Sequence, residues 1–433
     1  MKPLPLNNCK ITSKYGIVRQ DGKIHKGVDF ISTSSDRNIK AIRSGVVRAT
    51  PYEKDGFGNY VSIQQEDGFR ALYCHLEKIL VKPGDTIEEG QVIGIEGTSG
   101  KSTGVHLHLE LRKAPYDIDD HIDVAEYLGI KNEVGMVTYI QNYELLEYLG
   151  IMDYWRQGYK GKGITIASRE SEKTEHGAKV AELLRTLVPE STILIDEDYK
   201  DEINYFDIYT TSLSFSSDKL AKSVNKSKES FENNKFLVCA VGNNSSDSQT
   251  AISKNNYFQS IGACNLKNGE PKREYYSSIT EDIDFMSLTN FKLSDGIFNG
   301  SSCSAPIFAS MICLLQCVAL DKLKRKLTNN ELLKLIKDNL IDLEEEGFDS
   351  KTGHGLFILP KPWKVDFAKY LDEEEEEMPR YNKLEEVPEW GKPTVEKLIN
   401  LELLKGDENG NLDLSRDMLR IFIIEDRAGL YDF

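Results

Sequence analysis

Four of the seven histidines in this 433-residue chain lie in glycine-rich segments near its amino terminus: His25, His75, His106 and His108. His106 and His108 belong to Val-His-Leu-His-Leu-Glu, and alternate side chains of an extended strand share one face. His25 precedes Asp29 by four residues, so these side chains also share a face if their segment is extended. Two imidazoles and one carboxylate leave one position of a zinc ion open for water, as in catalytic zinc sites.

The first 128 residues have the pattern of an all-β domain. Glycine-containing turns separate short stretches of β-forming residues, which lie at 45–47, 59–63, 69–73 and 91–94. On the strand with the paired histidines, Val105, Leu107 and Leu109 alternate with them and are expected to pack as core.

Residues 150–370 alternate strand and helix after a predicted helical connector over 129–149, where helix-like sequence runs from 137 to 157. We predict strands at 164–167, 206–213 and 236–241, and helices at 176–186 and 305–320. The last helix is apolar nearly all round, which is typical of a central helix. Strands that alternate with helices imply a parallel sheet covered on both faces, hence an α/β domain.

Composition disfavours several classes of function. The net charge of −16 argues against a nucleic-acid partner. The seven cysteines lack paired spacings, which argues against a disulfide framework, and most are expected to be buried thiols. No apolar run reaches the roughly 18 residues of a membrane span, and the amino-terminal segment lacks the apolar core of a secretory signal. We therefore expect synthesis in the cytoplasm without a signal peptide.

Three motifs give the amino-terminal domain a specific resemblance. They are His25-x-x-x-Asp29, the segment at 73–76 (Tyr-Cys-His-Leu) and the glycine-rich segment at 97–108. Over roughly residues 10–112 the chain resembles the lysostaphin-like (LytM-type) zinc endopeptidases. The resemblance implies a β-sandwich or barrel and Zn²⁺ as the cofactor. Because this family cleaves peptide bonds of bacterial peptidoglycan, it also implies peptidoglycan as the substrate.

The same resemblance assigns a role to each of five side chains. His25, Asp29 and His108 are implied as zinc ligands, whereas His75 and His106 are implied as a pair that transfers protons and stabilises the oxyanion. An imidazole beside the metal titrates in the range that such proton transfer needs.

Simpler explanations exist for these histidines. A lone histidine on a strand is usually a hydrogen-bonded residue, paired histidines can bind a structural metal, and family members that have lost ligands serve as regulators. All five positions are filled here, which favours an active site. His121 lies outside the pattern and is expected to be ordinary surface.

The second domain resembles the subtilisin-like serine proteases, which implies a doubly wound α/β fold. The likeness rests on the segments at 161–167, 176–177, 241–244 and 300–306.

By that resemblance Ser302 is the nucleophile, His176 the general base, and Asn243 an oxyanion donor together with the Ser302 amide. Glu170 occupies the position of the family's aspartate, and the loop that usually follows this acid is missing. Two interpretations remain: a working Glu170–His176–Ser302 protease, favoured because serine, histidine and asparagine survive together, or a degenerate fold kept as a scaffold.

The carboxyl-terminal part begins with an acidic segment over 371–380, expected to be a solvated linker. Residues 381–433 contain two predicted amphipathic helices separated by a turn at 406–410. With the Val-Pro-x-Trp motif that ends at Trp390, this tail resembles a single surface-layer-homology repeat, which implies binding to wall polymers. A small helical hairpin that docks on a neighbour is an equal alternative.

Together these features predict a zinc-dependent peptidoglycan endopeptidase, a phage or prophage lysin, with the subtilisin-like domain as an auxiliary or self-processing serine protease. Without a signal peptide, such a protein reaches the wall after release from the cell or as part of a phage particle. A competing hypothesis is a non-enzymatic structural or wall-binding component in which one or both catalytic folds are degenerate. A third makes the protease the main activity, delivered to walls by the zinc domain.

Overall fold

The computed structural model describes residues 3–19, 22–195, 205–212, 227–244, 255–372, 381–407, 410–414, 416–427 and 430–431. The chain divides into two compact units, Met1–Phe367 and Ala368–Phe433. The first unit contains both a β-rich amino-terminal domain and an α/β central domain.

The amino-terminal domain consists of antiparallel strands and one short helix, α1, at Val124–Leu128. Its strands are β1 Cys9–Ser13, β2 Val28–Ser32, β3 Asn38–Lys40, β4 Gly45–Ala49, β5 Tyr52–Glu53, β6 Gly58–Gln65, β7 Arg70–Leu76, β8 Lys78–Ile79, β9 Thr86–Ile87, β10 Val92–Ile95, β11 Leu107–Arg112, β12 His121–Ile122 and β13 Gly135–Met136. The larger sheet has the order β13-β1-β2-β11-β7-β6-β4-β9, and the smaller one β3-β10-β8. The predicted β-rich architecture is confirmed.

The apolar face predicted for β11 is buried only inside the strand. Leu107 and Leu109 are fully buried, as predicted. Val105 is 41% exposed, so its predicted place in the core is wrong. Val105 precedes the first residue of β11, Leu107, so it lies outside the strand that packs in the core.

The predicted helix over 137–157 is two short helices, α2 at Tyr143–Tyr148 and α3 at Ile151–Arg156. Gly150 separates them with a φ of 82°, a left-handed conformation that glycine adopts at little cost. The connector at 129–149 also contributes β13, which pairs with β1.

The central domain is an α/β domain with a mostly parallel sheet. Its strands are β14 Thr165–Ser168, β15 Thr192–Ile195, β16 Ile208–Thr211, β17 Phe236–Ala240, β18 Phe258–Lys267, β19 Glu270–Arg273, β20 Phe285–Leu288, β21 Phe291–Leu293, β22 Gly296–Phe298, β23 Leu340–Ile341 and β24 Leu356–Phe357. Its helices include α4 Glu175–Leu187, α5 Ser301–Leu323 and α6 Asn329–Lys337. The order is β15-β14-β16-β17-β18-β20-β24-β23, parallel from β15 to β24. The predicted parallel sheet is therefore present.

Helix α5 is the central buried helix that the sequence predicts. It spans 23 residues, which by length and composition could cross a membrane, so the expectation of no apolar stretch of that length is wrong. However, 94% of its most apolar window is buried inside the domain, as in the core helix of a globular protein. All seven cysteines of the chain are buried and free, which agrees with the prediction of buried thiols.

Buried charges join the amino-terminal and central domains. Arg43, only 1% exposed, contacts Asp67 at 3.0 Å within its own domain and Asp153 of α3 at 2.7 Å. Asp153 also pairs with Arg156 at 2.8 Å, and Arg156 donates to the Tyr127 carbonyl at 2.7 Å. Desolvated charges are costly unless they are paired. The two domains therefore depend on each other for the compensation of these charges.

The tail forms its own small core. Helices α7, Lys392–Asn400, and α8, Arg416–Arg427, correspond to the two predicted amphipathic helices. This core contains the buried apolar side chains of Val387, Val395, Leu414 and Leu419. Most of the predicted acidic linker, residues 373–380, lies outside the described residues.

Replacement of Arg43 tests the interface between the two domains. Arg43→Ala removes a buried cation from two acidic partners, and we expect it to lower the free energy of unfolding by about 3 kcal/mol or more in urea denaturation. The control is Lys364→Ala, which breaks an exposed pair with Glu66 and should cost less than about 1 kcal/mol. Equal effects of the two substitutions would contradict the structural role of Arg43.

Candidate metal centre

Three buried side chains converge in the amino-terminal domain: His25, Asp29 and His108. His25 Nε2 lies 3.0 Å from Asp29 Oδ1 and 3.0 Å from His108 Nδ1, and His108 Nδ1 lies 2.7 Å from Asp29 Oδ1. A tetrahedral ion with bonds of about 2.0–2.1 Å separates its ligand atoms by about 3.3 Å. The three atoms are thus arranged to hold one small metal ion after a slight expansion.

Strand pairing brings these distant residues together. β2 and β11 are antiparallel neighbours, and in their register His108 lies directly opposite Asp29. His25 precedes β2, because that strand begins at Val28, so the condition of one extended strand through both His25 and Asp29 is not met. At Gly27 a Cβ would lie 2.8 Å from the His108 ring and 2.3 Å from the Leu109 carbonyl. A glycine is therefore needed where the chain passes beside the histidine.

The ring atom of each histidine that faces away from the centre has its own partner. His25 Nδ1 lies 2.9 Å from the Lys14 carbonyl, and His108 Nε2 lies 3.1 Å from Glu110 Oε1. Glu110 is buried and also accepts a hydrogen bond from Arg112 at 2.7 Å. Such partners orient a ligating imidazole and increase its basicity.

The electrostatics of the cluster favour a cation. Burial alone would raise the pKa of Glu110, yet hydrogen bonds and charge from His108 and Arg112 lower it to about 2. Burial alone would also lower the pKa of His108, whereas its hydrogen bonds to Asp29 and Glu110 raise it to about 9. The buried carboxylates of Asp29 and Glu110 thus stabilise a positive charge on His108. A bound divalent cation would supply positive charge there in place of the proton.

His75 and His106 border the same centre. Their rings lie 4.8 Å apart, and His106 Nε2 is 4.0 Å from Asp29 Oδ1. His75 Nδ1 lies 2.9 Å from the Ser99 carbonyl, and His106 Nδ1 lies 2.8 Å from a backbone carbonyl of the same loop. A carbonyl can only accept, so both Nδ1 atoms carry the proton and both Nε2 atoms are left as acceptors.

His75 has two further unusual properties. Burial lowers its pKa to about 4, so its ring is neutral at neutral pH. Its φ of 67° is left-handed, which costs a non-glycine residue about 1 kcal/mol or more. A Cβ at Gly97 would lie 2.7 Å from the His75 carbonyl, so the glycine-rich loop packs directly on this strained residue. Strain of this kind is concentrated at functional sites.

The structure places His121 away from this cluster. It is half-buried in β12, with its Nδ1 2.9 Å from the Tyr15 hydroxyl.

A model of peptidase family M23 matches residues 23–121, the segment that contains all five clustered side chains. Residues 23–121 are an M23 peptidase domain. This confirms the predicted lysostaphin-like (LytM-type) domain at the amino terminus.

Curated relatives match the M23 domain and little else. An uncharacterized metalloprotease of Haemophilus influenzae is 42% identical over 86 residues, 20% of this chain and 18% of that protein. Lysostaphin of Staphylococcus staphylolyticus is 40% identical over 108 residues, 24% of this chain and 22% of that protein. The peptidoglycan DD-endopeptidase ShyB of Vibrio cholerae is 32% identical over 128 residues, 28% of this chain and 29% of that protein. The chain thus spans less than a third of the length of each.

Zinc is the cofactor of the M23 domain, as predicted. Two imidazole nitrogens and one carboxylate oxygen are the donor types that catalytic zinc sites use, and they leave a coordination position open.

The central domain holds the predicted serine protease residues at the carboxyl ends of its parallel strands. Glu170 follows β14, Asn243 follows β17, and Ser302 lies in the first turn of α5. The Glu170 carboxylate accepts hydrogen bonds from the Ser168 hydroxyl and the Ser212 amide. Within the described part of the chain, no hydrogen bond links Glu170 to a histidine.

His176 begins α4 and contacts Phe298 edge-to-face, with ring centres 5.7 Å apart. The structure therefore brings neither the acid nor the serine into hydrogen-bond contact with this imidazole, as far as described residues show. Asn243 Oδ1 accepts from the Ser301 amide at 2.8 Å. Among described hydrogen bonds none uses Asn243 Nδ2 or the Ser302 amide, so two donors remain for an oxyanion.

Sequence reasoning missed two residues of the metal centre. Glu110 continues the two-residue alternation of His106 and His108, so the strand period could have indicated it. Arg19 donates to Asp29 Oδ2 at 3.3 Å. No local pattern indicates that contact, because it depends on how the chain before β2 is placed against the sheet.

The distinction between ligands and neighbouring histidines is testable by metal analysis. We expect His25→Ala and His108→Ala to lose stoichiometric zinc, because each removes one of three donors. His75→Ala and His106→Ala should retain it, as should the control His121→Ala. Loss of zinc from His106→Ala as complete as that from His108→Ala would place His106 among the ligands instead.

Proposed function

We propose that the M23 domain is a zinc-dependent endopeptidase that cleaves peptide bonds of bacterial peptidoglycan. The observation that carries this proposal is the convergence of five side chains. His25, Asp29 and His108 form a metal site with an open position, and His75 and His106 border it with acceptor nitrogens. The names of lysostaphin and of the V. cholerae DD-endopeptidase support a substrate in the bacterial wall.

The proposed reaction gives His75 and His106 separate roles. When bound, zinc polarises a substrate carbonyl and increases the acidity of water. His75, neutral because of burial, accepts a proton at Nε2 while its Nδ1 stays bonded to the Ser99 carbonyl. Proton return to the leaving amine uses the same atom. His106, whose Nδ1 is held by its loop carbonyl, faces Asp29 and stabilises the charge that develops on the carbonyl oxygen by donating from Nε2 once that nitrogen is protonated.

Wall lysis tests the proposal. In turbidity assays on purified walls, we expect His75→Ala and His106→Ala to lower the rate at least about 100-fold, because each loses proton transfer or oxyanion stabilisation. Chelator and His108→Ala should abolish lysis, and added Zn²⁺ should restore it only after chelation.

The muropeptides released should contain newly cleaved peptide bonds by mass spectrometry. If zinc-loaded wild-type protein binds walls and leaves every peptide bond intact, the competing non-enzymatic role is correct. The control His121→Ala should lyse walls at the wild-type rate.

We propose that the central domain, a degenerate subtilisin-like fold, acts mainly as a scaffold for the M23 domain. Two observations support this. Both Glu170 oxygens are bonded to Ser168 and Ser212 instead of a histidine, and the buried contact of Arg43 with Asp153 fixes the domain to its neighbour. The alternative of an auxiliary or self-processing serine protease is supported by Asn243 Nδ2 and the Ser302 amide, neither of which has a hydrogen-bond partner among the described residues.

A serine-reactive fluorophosphonate separates these two roles. If the central domain is a scaffold, the probe should not label the wild-type chain. Ser302→Ala should then leave the cleavage pattern of the purified chain and the rate of wall lysis unchanged. Labelling of the wild type that Ser302→Ala and His176→Ala both abolish would show a working protease.

We also propose that the chain is a phage or prophage lysin, made in the cytoplasm and active at the wall after release or within a phage particle. In this proposal the tail is a single surface-layer-homology-like repeat that binds wall polymer. Its support is the Val-Pro-x-Trp motif, whose Trp390 is 47% exposed. If deletion of residues 381–433 leaves co-sedimentation with walls unchanged, the tail has no such role.

A further inference from the structure

An exposed arginine lies beside the metal centre. Arg19 Nη2 is 3.3 Å from Asp29 Oδ2, whereas Asp29 Oδ1 is the oxygen that faces the two histidine ligands. Only the carboxylate of Asp29 therefore separates the guanidinium from the position of the metal. The Arg19 side chain is 48% exposed, so it is accessible to a bound substrate.

Most of the donors of this guanidinium have no hydrogen-bond partner among the described residues. It carries five N–H groups, and the contact with Asp29 is its one side-chain partner within the described residues. A long, half-exposed ion pair is weak and does not saturate an arginine. The neighbouring cation, Lys26, differs in this respect, because its Nζ already contacts Asp119 at 2.6 Å and the Ile118 carbonyl at 3.1 Å.

We propose that Arg19 recognises a free carboxylate on the substrate, on the carbon that bears the nitrogen of the scissile amide. This inference rests on the proposed endopeptidase function and specifies its substrate class. When the scissile carbonyl lies at the metal, that carbon is two bonds away on the amine side. Arginine binds a carboxylate through paired N–H···O contacts. A carboxylate on that carbon would therefore fix the position of the scissile amide relative to the metal.

The substrate class follows from this placement. A cross-link formed on the α-amino group of an amino acid carries such a carboxylate. An internal bond of a glycine bridge does not, and neither does an amide formed on the side-chain amine of lysine. Arg19 therefore favours direct cross-links to a diamino acid whose linked carbon keeps its carboxylate.

A pair of soluble cross-linked peptides tests this inference. The two peptides are identical except for a carboxylate or a carboxamide on the carbon beside the scissile nitrogen, and the full zinc-loaded chain is used. We expect the wild type to favour the carboxylate at least about tenfold in kcat/KM, the effect of one charge-assisted hydrogen bond. Arg19→Gln should lose that preference, with a larger fall in kcat/KM on the carboxylate peptide than on the carboxamide, and Arg19→Lys should keep part of it.

The matched control is Arg48→Gln, which removes an exposed arginine of β4 and should retain the full preference. Zinc affinity, measured by chelator competition, should be equal in wild type and Arg19→Gln. Weaker zinc binding by Arg19→Gln, or an equal loss of kcat/KM on both peptides, would make Arg19 a positioning residue for Asp29 and overturn the inference. A wild type that lyses walls without any preference also overturns it, whereas intact walls and intact peptides would overturn the proposed function itself.

Discussion

The pairing of β2 with β11 is the constraint on which the metal centre depends. In this register His108 lies opposite Asp29, and on its other side β11 pairs with β7, where His108 lies opposite Cys74, the residue before His75. A slip of one residue would turn every side chain of a strand to the opposite face of the sheet. The apolar Leu107 and Leu109 would then face the metal. Core burial and metal geometry therefore select the same register, and each stabilises the other.

Much of this arrangement could be predicted from local sequence. Strict alternation predicted the shared face of His106 and His108, the family resemblance implied the ligand set of His25, Asp29 and His108, and apolar composition predicted the buried helix α5. The shared histidine face and the buried helix could be predicted because the period of a strand or helix is a local property of the backbone. The same logic extends to Glu110, which continues the alternation and orients His108.

Features that depend on tertiary contacts could not be predicted in this way. The exposure of Val105, the break at Gly150 and the contact of Arg19 with Asp29 all depend on where the chain turns. Prediction from local sequence had the same limit at the candidate triad of the central domain. Residue types at the expected positions did not reveal that Glu170 bonds to serine donors, because a hydrogen bond depends on distances that spacing in sequence does not fix.

The buried arginine between the domains has a consequence for moving the M23 domain onto another protein. Arg43 belongs to the M23 domain, whereas Asp153, one of its carboxylate partners, belongs to the neighbouring domain. If the first 128 residues were grafted onto an unrelated wall-targeting segment, this guanidinium would keep Asp67 but lose half of its counter-charge. A transplanted M23 domain would therefore be less stable unless its new neighbour supplied a second carboxylate beside Arg43.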